Sequence, residues 1–255
     1  MLGELVAESS VQSSVSPPIE THRFGKMPLR VRLWRLIFEW SWVDRILRRR
    51  ALEVIERTGV QRHLKADGRY LDIGTGAGHI VERLVRLERA RNIKYLGMDP
   101  VWKPTPRVLS RVRKRHAGRL VFLRGDGTRL PVGDESVDGV SMFFVLHHIP
   151  YPLQVLVLAE MKRVLRSDGF VVLAEDTPDD QAEWQIMAKR DRRLNFEPPD
   201  EEHYYRSGTE WRTFLAEQGF DVVDESYWEE HSRWRGEGMT RHRGLILRPM
   251  GKRET

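Results

Sequence analysis

The sequence predicts an α/β fold: a doubly wound, mostly parallel seven-stranded sheet with helices on both faces, plus an N-terminal helical extension. Three observations carry this. From residue 51 onward, short apolar runs alternate with amphipathic segments of helical length, as crossover connections between parallel strands require. The first apolar run, "RYLDIG", leads at once into glycines 74, 76 and 78. The next two runs, "IKYLGMD" and "LVFLRGD", each close on an aspartate, Asp99 and Asp126.

The elements follow in order. Residues 1–27 are rich in Ser, Val and Pro without a period, which predicts a mobile leader. Residues 28–50 form the extension, because Leu33, Leu36, Trp40, Val43 and Leu47 recur at helical steps, flanked by arginines. That stripe suits packing on the main domain; a second reading lays residues 29–50 on a membrane surface. The main domain is expected over 51–250. Helices are predicted at "ALEVIERTGVQRHL", "HIVERLVRLERA", "TPRVLSRVRKRHA", "YPLQVLVLAEMKRVL" and "GTEWRTFLAEQG". Further strands are predicted at "VDGVSMFFVL", "FVVLAED", "DVVDESYWEE" and "RHRGLILRP", with an insert at 177–208.

Composition removes several function classes. The 255 residues contain no cysteine, which excludes disulfides, thiolate metal sites and a cysteine nucleophile. The longest apolar runs are far below the roughly 18 residues of a membrane span. The first twenty residues lack the basic start and apolar core of a secretory signal. A cytoplasmic protein is expected, with peripheral membrane contact through the extension as the second reading. The net charge of +6 is dispersed among acids, which favours solubility over nucleic-acid recognition.

The glycine spacing is informative. A dinucleotide turn needs G-x-G-x-x-G, but here the spacing is G-x-G-x-G and His79 stands where the third glycine would be. No G-K-[ST] follows, so it is not a phosphate loop either. Asp99 is placed to accept both hydroxyls of a ribose. Asp126 is placed to accept an adenine amine, with Gly127 permitting close approach. Three successive strand ends thus carry groups suited to one nucleoside.

These stretches resemble a known family. "LDIGTGAG", "GMDP", "GDGTRLPVGDESVDGVSMFFVLHHI" and "EMKRVLRSDGFVVLAED" are similar to the motifs of class I S-adenosylmethionine-dependent methyltransferases. The likeness, over roughly residues 51–175, is to the small-molecule branch related to ubiquinone and menaquinone biosynthesis, whose fold is Rossmann-like. It implies S-adenosyl-L-methionine as cofactor and S-adenosyl-L-homocysteine as product. It also implies that Asp72, Gly74, Thr75, Gly76 and Gly78 hold the methionyl end and Asp99 the ribose. Pro100 or Val101 would pack on the adenine, Asp126 and Gly127 would read its edge, and Met142 and Phe143 would lie near the methyl group. The sequence departs from the pattern at "DPVWKPTPRV", where Pro104 and Pro106 predict a longer loop.

Methyl transfer from a sulfonium needs alignment and water exclusion more than a metal, and no metal-ligand spacing is present, so no metal is expected. His147 and His148 are the candidate bases for a hydroxyl acceptor. The apolar text before them, "MFFVL", and the lack of an Asn/Asp-Pro-Pro-aromatic motif favour a lipophilic or aromatic small molecule. Trp184, Met187, Tyr204 and Tyr205 in the insert are candidate wall residues. The alternatives are an RNA or protein methyltransferase, a non-catalytic nucleoside-binding module, and a nicotinamide oxidoreductase, against which the glycine spacing argues.

Overall fold

The structure is a computed structural model that describes residues 41–100, 105–195, 197–231 and 239–251. The expected leader, residues 28–40 of the extension, and Val101 lie outside the described residues.

Seven strands form one sheet: β1 (Arg69–Ile73), β2 (Lys94–Asp99), β3 (Leu120–Arg124), β4 (Val137–Phe143), β5 (Leu165–Asp176), β6 (Phe220–His231) and β7 (Met239–Pro249). Their order is β3-β2-β1-β4-β5-β7-β6. The first five run parallel, and β7 is antiparallel to both of its neighbours. The helices are α1 (Ser41–Thr58), α2 (His79–Leu87), α3 (Pro106–Arg115), α4 (Tyr151–Val164), α5 (Gln181–Asn195) and α6 (Gly208–Glu217). After β1 the chain builds outward through β2 and β3, then returns to place β4 on the other side of β1. That reversal opens a crevice at the carboxyl ends of β1 and β4.

The period-2 pattern of the strands divides the core in two. Leu71, Ile73, Val140 and Met142 point to one face, where Leu158, Met161 and Trp211 of the helices cover them. Tyr70, Tyr95 and Phe143 point to the other, beneath Ile55 of α1 and Val81, Leu84 and Val85 of α2. Both faces being covered explains why the central strands read as continuous apolar runs.

α1 is one continuous helix, so the expected boundary at 50/51 falls inside it. Ala51 and Ile55 bury its inner face. Asp44 fixes its start: its carboxylate takes Arg111 Nη1 of α3 at 3.0 Å and lies 3.2 Å from His79 Nε2. His79, in the third-glycine position, is therefore buried and turned toward α1. Pro104 lies outside the described residues; Pro106 occupies the first turn of α3, where Thr105 caps by accepting from the Val108 N–H at 3.2 Å. Among the described residues, no helix is long and apolar enough to cross a membrane.

Strand β4 ends earlier than its apolar text suggests. Phe144 adopts φ 58°, and its N–H donates to Ala174 O at 2.7 Å. The chain then closes a short 3₁₀ turn over Leu146–His148. Glu175 of β5 holds that turn by accepting from the N–H groups of Val145 and Leu146 at 3.2 and 2.8 Å.

Candidate cofactor and acceptor site

The glycine turn has its shape for identifiable reasons. Gly74, Gly76 and Gly78 have φ of 74°, 52° and 81°, the left-handed region that side chains resist. At Gly74 a Cβ would also lie 2.4 Å from Val145 Cγ2, so this glycine lets the turn after β4 pack against the end of β1. At Gly78, the cap of α2, a Cβ would strike Phe122 at 2.6 Å. Gly76 differs: the nearest atom to its Cβ position is 3.9 Å away, so the space beside it is open. Gly74→Ala is expected to cost about 1–2 kcal/mol in backbone strain and about 1–3 kcal/mol in overpacking. In urea unfolding, adding Val145→Ala should recover the packing share alone; full recovery would refute the strain.

Asp99, nearly buried at the end of β2, ties the turn to its neighbour by accepting from the Gly76 N–H through Oδ2 at 3.0 Å. Asp72 sits one layer deeper, 3% exposed, and takes the Ser141 hydroxyl at 2.6 Å. Burial pushes its carboxyl up to about 7 against the pull of that hydroxyl. The folded state therefore favours the protonated acid. Its contribution to stability is full below the ordinary value near 3.8 and is lost as pH rises through about 7. Asp72→Asn, which keeps an acceptor for Ser141, should be more stable than wild type at pH 8, with the gap closing toward pH 4. A gap independent of pH in denaturant titrations would contradict this.

The remaining cofactor candidates are placed unequally. Asp126 is exposed and accepts from the Thr128 N–H at 2.9 Å, a tight turn that presents the end of β3. A Cβ on Gly127 would press on Ile73 at 3.1 Å. Pro100 is exposed, its carbonyl taken by Arg124 Nε at 2.9 Å. Phe143 is nearly buried on the α1/α2 face. Met142 is wholly enclosed on the opposite face among Leu146 and Leu158, so its side chain serves the core and not the crevice rim.

His147 does not suit the role of base. Its ring is fully buried between two carboxylates, with Nδ1 2.6 Å from Glu175 Oε2 and Nε2 3.2 Å from Asp191 Oδ2, the second without hydrogen-bond alignment. Burial opposes its charge, but Glu175 and then Asp191 outweigh it and raise the imidazole well above its ordinary range. An imidazolium has no lone pair to receive a proton. His148 stays partly exposed, its Nδ1 3.4 Å from Glu197 Oε1.

The insert folds over this region around α5. Met187 is fully buried and Tyr205 nearly so, forming with Ala188 a small core of their own against which Trp184 packs. The Tyr205 hydroxyl donates to Asp191. Met187 and Tyr205 thus hold the insert together and do not line an open wall. Trp184 and Tyr204 border a cleft of about 360 Å³ with His203, Arg192 and the acidic run 200–202. The Tyr204 N–H donates to His147 O at 2.6 Å, stitching insert to turn. Sequence reasoning missed Glu175, Asp191, Glu197 and His203. The one available signal was Glu175, an acid at the end of an otherwise apolar buried strand.

Residues 71–173 match the family described as a methyltransferase domain. The chain is 30% identical over 136 residues to a ubiquinone/menaquinone biosynthesis C-methyltransferase of Citrifermentans bemidjiense, covering 52% of this chain and 53% of that protein. It is 30% identical over 137 residues to a 27-O-demethylrifamycin SV methyltransferase of Amycolatopsis mediterranei, covering 53% and 48%. The chain thus spans about half the length of these curated relatives. The crystal structure of the YcgJ protein of Bacillus subtilis superposes with a TM-score of 0.58 at 17% identity, covering 77% of this chain and 99% of that one, a likeness of fold alone. The matched segment is similar to a methyltransferase domain, and the sheet order with its glycine turn is the fold that likeness implies.

Proposed function

We propose that the protein transfers a methyl group from S-adenosylmethionine to a small-molecule acceptor of lipophilic or aromatic character. One observation carries the reading: the open left-handed Gly76, whose N–H already donates to Asp99. The turn leaves room where a side chain would stand, beside a buried carboxylate at the next strand end. A nucleoside with an amino-acid tail fits that donor set better than a pyrophosphate, which would need its third glycine where His79 is buried.

When bound, the cofactor supplies a methyl group already activated for in-line displacement by an acceptor lone pair, leaving S-adenosylhomocysteine. The chain's own residues then have positional tasks. Asp99 accepts the ribose hydroxyls, and Asp126 with Gly127 takes the adenine edge. Asp72 pairs with the ammonium, which draws its raised carboxyl back to the ionised form, so binding near pH 7 should release a proton. Residues 177–208 cover the acceptor, with Trp184 and Tyr204 at the cleft and Met187 and Tyr205 behind them. A proton leaving a hydroxyl acceptor passes to His148 or to water, because His147 already holds one.

The test is calorimetric titration with S-adenosylmethionine, S-adenosylhomocysteine and NAD in parallel, followed by turnover with quinols and phenols. Micromolar binding of the two sulfur nucleosides without NAD is the expected result. Binding of NAD alone would overturn the reading, and transfer to RNA instead would move the acceptor class.

A further inference from the structure

The turn after β4 and the tail of the insert bring His148, Glu197 and His203 together, and no step of methyl transfer is assigned to the last two. Each offers one ligand atom, and these atoms all lie within 4.8 Å of one another. Glu197 sits between the two rings, its Oε1 3.4 Å from His148 Nδ1 and its Oε2 3.0 Å from His203 Nε2. Around an ion with bonds of about 2.0–2.1 Å, adjacent donors in octahedral or tetrahedral geometry stand roughly 2.9–3.4 Å apart. Each imidazole thus has one oxygen of Glu197 at that spacing, a different oxygen for each ring.

A second observation points the same way. The His203 side chain is fully buried with Nε2 turned to Glu197, and among the described residues no group accepts or donates at Nδ1, so the ring can keep its proton on Nδ1 and offer the Nε2 lone pair. Its ring is nonetheless held in place, stacked on Tyr205 at an interplanar angle of 3°. Supported orientation of a ligating histidine is what a metal centre requires.

A competing triad, His147, His148 and Asp191, shares His148. There the chemistry is already spent. His147 is held as an imidazolium by Glu175, and Asp191 accepts from Tyr205 while facing that charge. On the other side, Glu197 faces both His148 and His203, and among the described residues the His203 ring is not held by a second carboxylate as His147 is. His203 also borders the 360 Å³ cleft, whose wall carries the carboxylates of Asp200, Glu201 and Glu202.

We propose that His148, Glu197 and His203 bind a divalent first-row transition-metal ion. Two imidazoles and one carboxylate suit zinc, cobalt, manganese or ferrous iron and disfavour calcium and magnesium, which prefer all-oxygen shells. The sequence offered no hint of this, because His203 is remote in the chain from His148 and no metal-ligand spacing exists. The site shares His148 with the proposed proton path, so with an ion bound there the proton of a hydroxyl acceptor would pass to water.

The experiment is titration of the full-length, chelator-treated protein with Co²⁺, read by visible absorption, and then displacement with Zn²⁺. One equivalent of Co²⁺ should bind with micromolar or tighter affinity and show the absorption of a low-coordinate site. Affinity should fall at least 100-fold in Glu197→Gln and in His203→Asn. Unchanged affinity in both variants, or none up to millimolar Co²⁺, would overturn the site. Should a variant not fold, ¹⁵N-histidine spectra of the wild type decide. Zn²⁺ should shift the ring nitrogens of His148 and His203 among the nine histidines, and shifts confined to other histidines would refute the assignment.

Discussion

Replacing Glu175 with glutamine is expected to cost the folded state about 3–5 kcal/mol, the range for breaking a buried ion pair by removing one partner. Glu175 is 0% exposed, and water cannot compensate for its loss. Its Oε2 faces His147 Nδ1 at 2.6 Å, and its Oε1 accepts from the Val145 and Leu146 N–H groups. Glutamine keeps one oxygen for the backbone but turns an amide toward a buried cation. Denaturant unfolding followed by tryptophan fluorescence should show the loss, with a melting temperature lower by on the order of 10 °C. A loss under about 1 kcal/mol would mean that the pair is not ionised in the folded protein.

The same substitution should reach the cofactor turn. Val145, whose N–H Glu175 holds, packs so closely on Gly74 that no Cβ fits between them. A shift of the 144–148 turn therefore presses on the end of β1. Glu175 touches neither proposed ligand, yet its loss should weaken nucleoside binding, through position alone. On the other side, His147 O receives Tyr204 N–H and Nε2 faces Asp191 of α5. One buried carboxylate thus fixes the turn that both the glycine loop and the insert lean on.

How far the sequence revealed this depended on distance along the chain. The alternation of apolar runs and helices placed β1 through β7, because each element is a local pattern, but not their order, in which β7 enters antiparallel between β5 and β6. The glycine turn and Asp99 were legible for the same reason: strand, turn and helix are contiguous. β4 was expected to run to Leu146, since "MFFVL" is uniformly apolar, but Glu175 and Phe144 stop it at Phe143. That interaction joins two strands, and no local pattern encodes it. His147 read as a base for a like reason, as its partners lie on β5 and α5. Met142 read as a rim residue, whereas the pleat sends it into the core. The two faces of a fully buried strand are equally apolar and cannot be told apart in text.

Asp99→Ala is expected to weaken binding of S-adenosylmethionine and S-adenosylhomocysteine about 100-fold or more. The carboxylate would accept two ribose hydroxyls, and hydrogen bonds to a charged group contribute about 1.5–3 kcal/mol each. It also organises the turn, since its Oδ2 takes the Gly76 N–H at 3.0 Å. Asp99→Asn retains an oxygen for Gly76 but exchanges an acceptor for a donor on the ribose side, so an intermediate loss, about tenfold, is expected. Asp126→Ala should cost less than Asp99→Ala, because Asp126 is exposed and water competes for the same edge. The order Asp99→Ala, Asp99→Asn, Asp126→Ala should be the same for substrate and product nucleoside in calorimetry, since neither aspartate is assigned to the methyl group. An Asp99→Ala protein that binds both like wild type would refute the ribose assignment. An order that differs between the two nucleosides would place one of these carboxylates near the reacting sulfur instead.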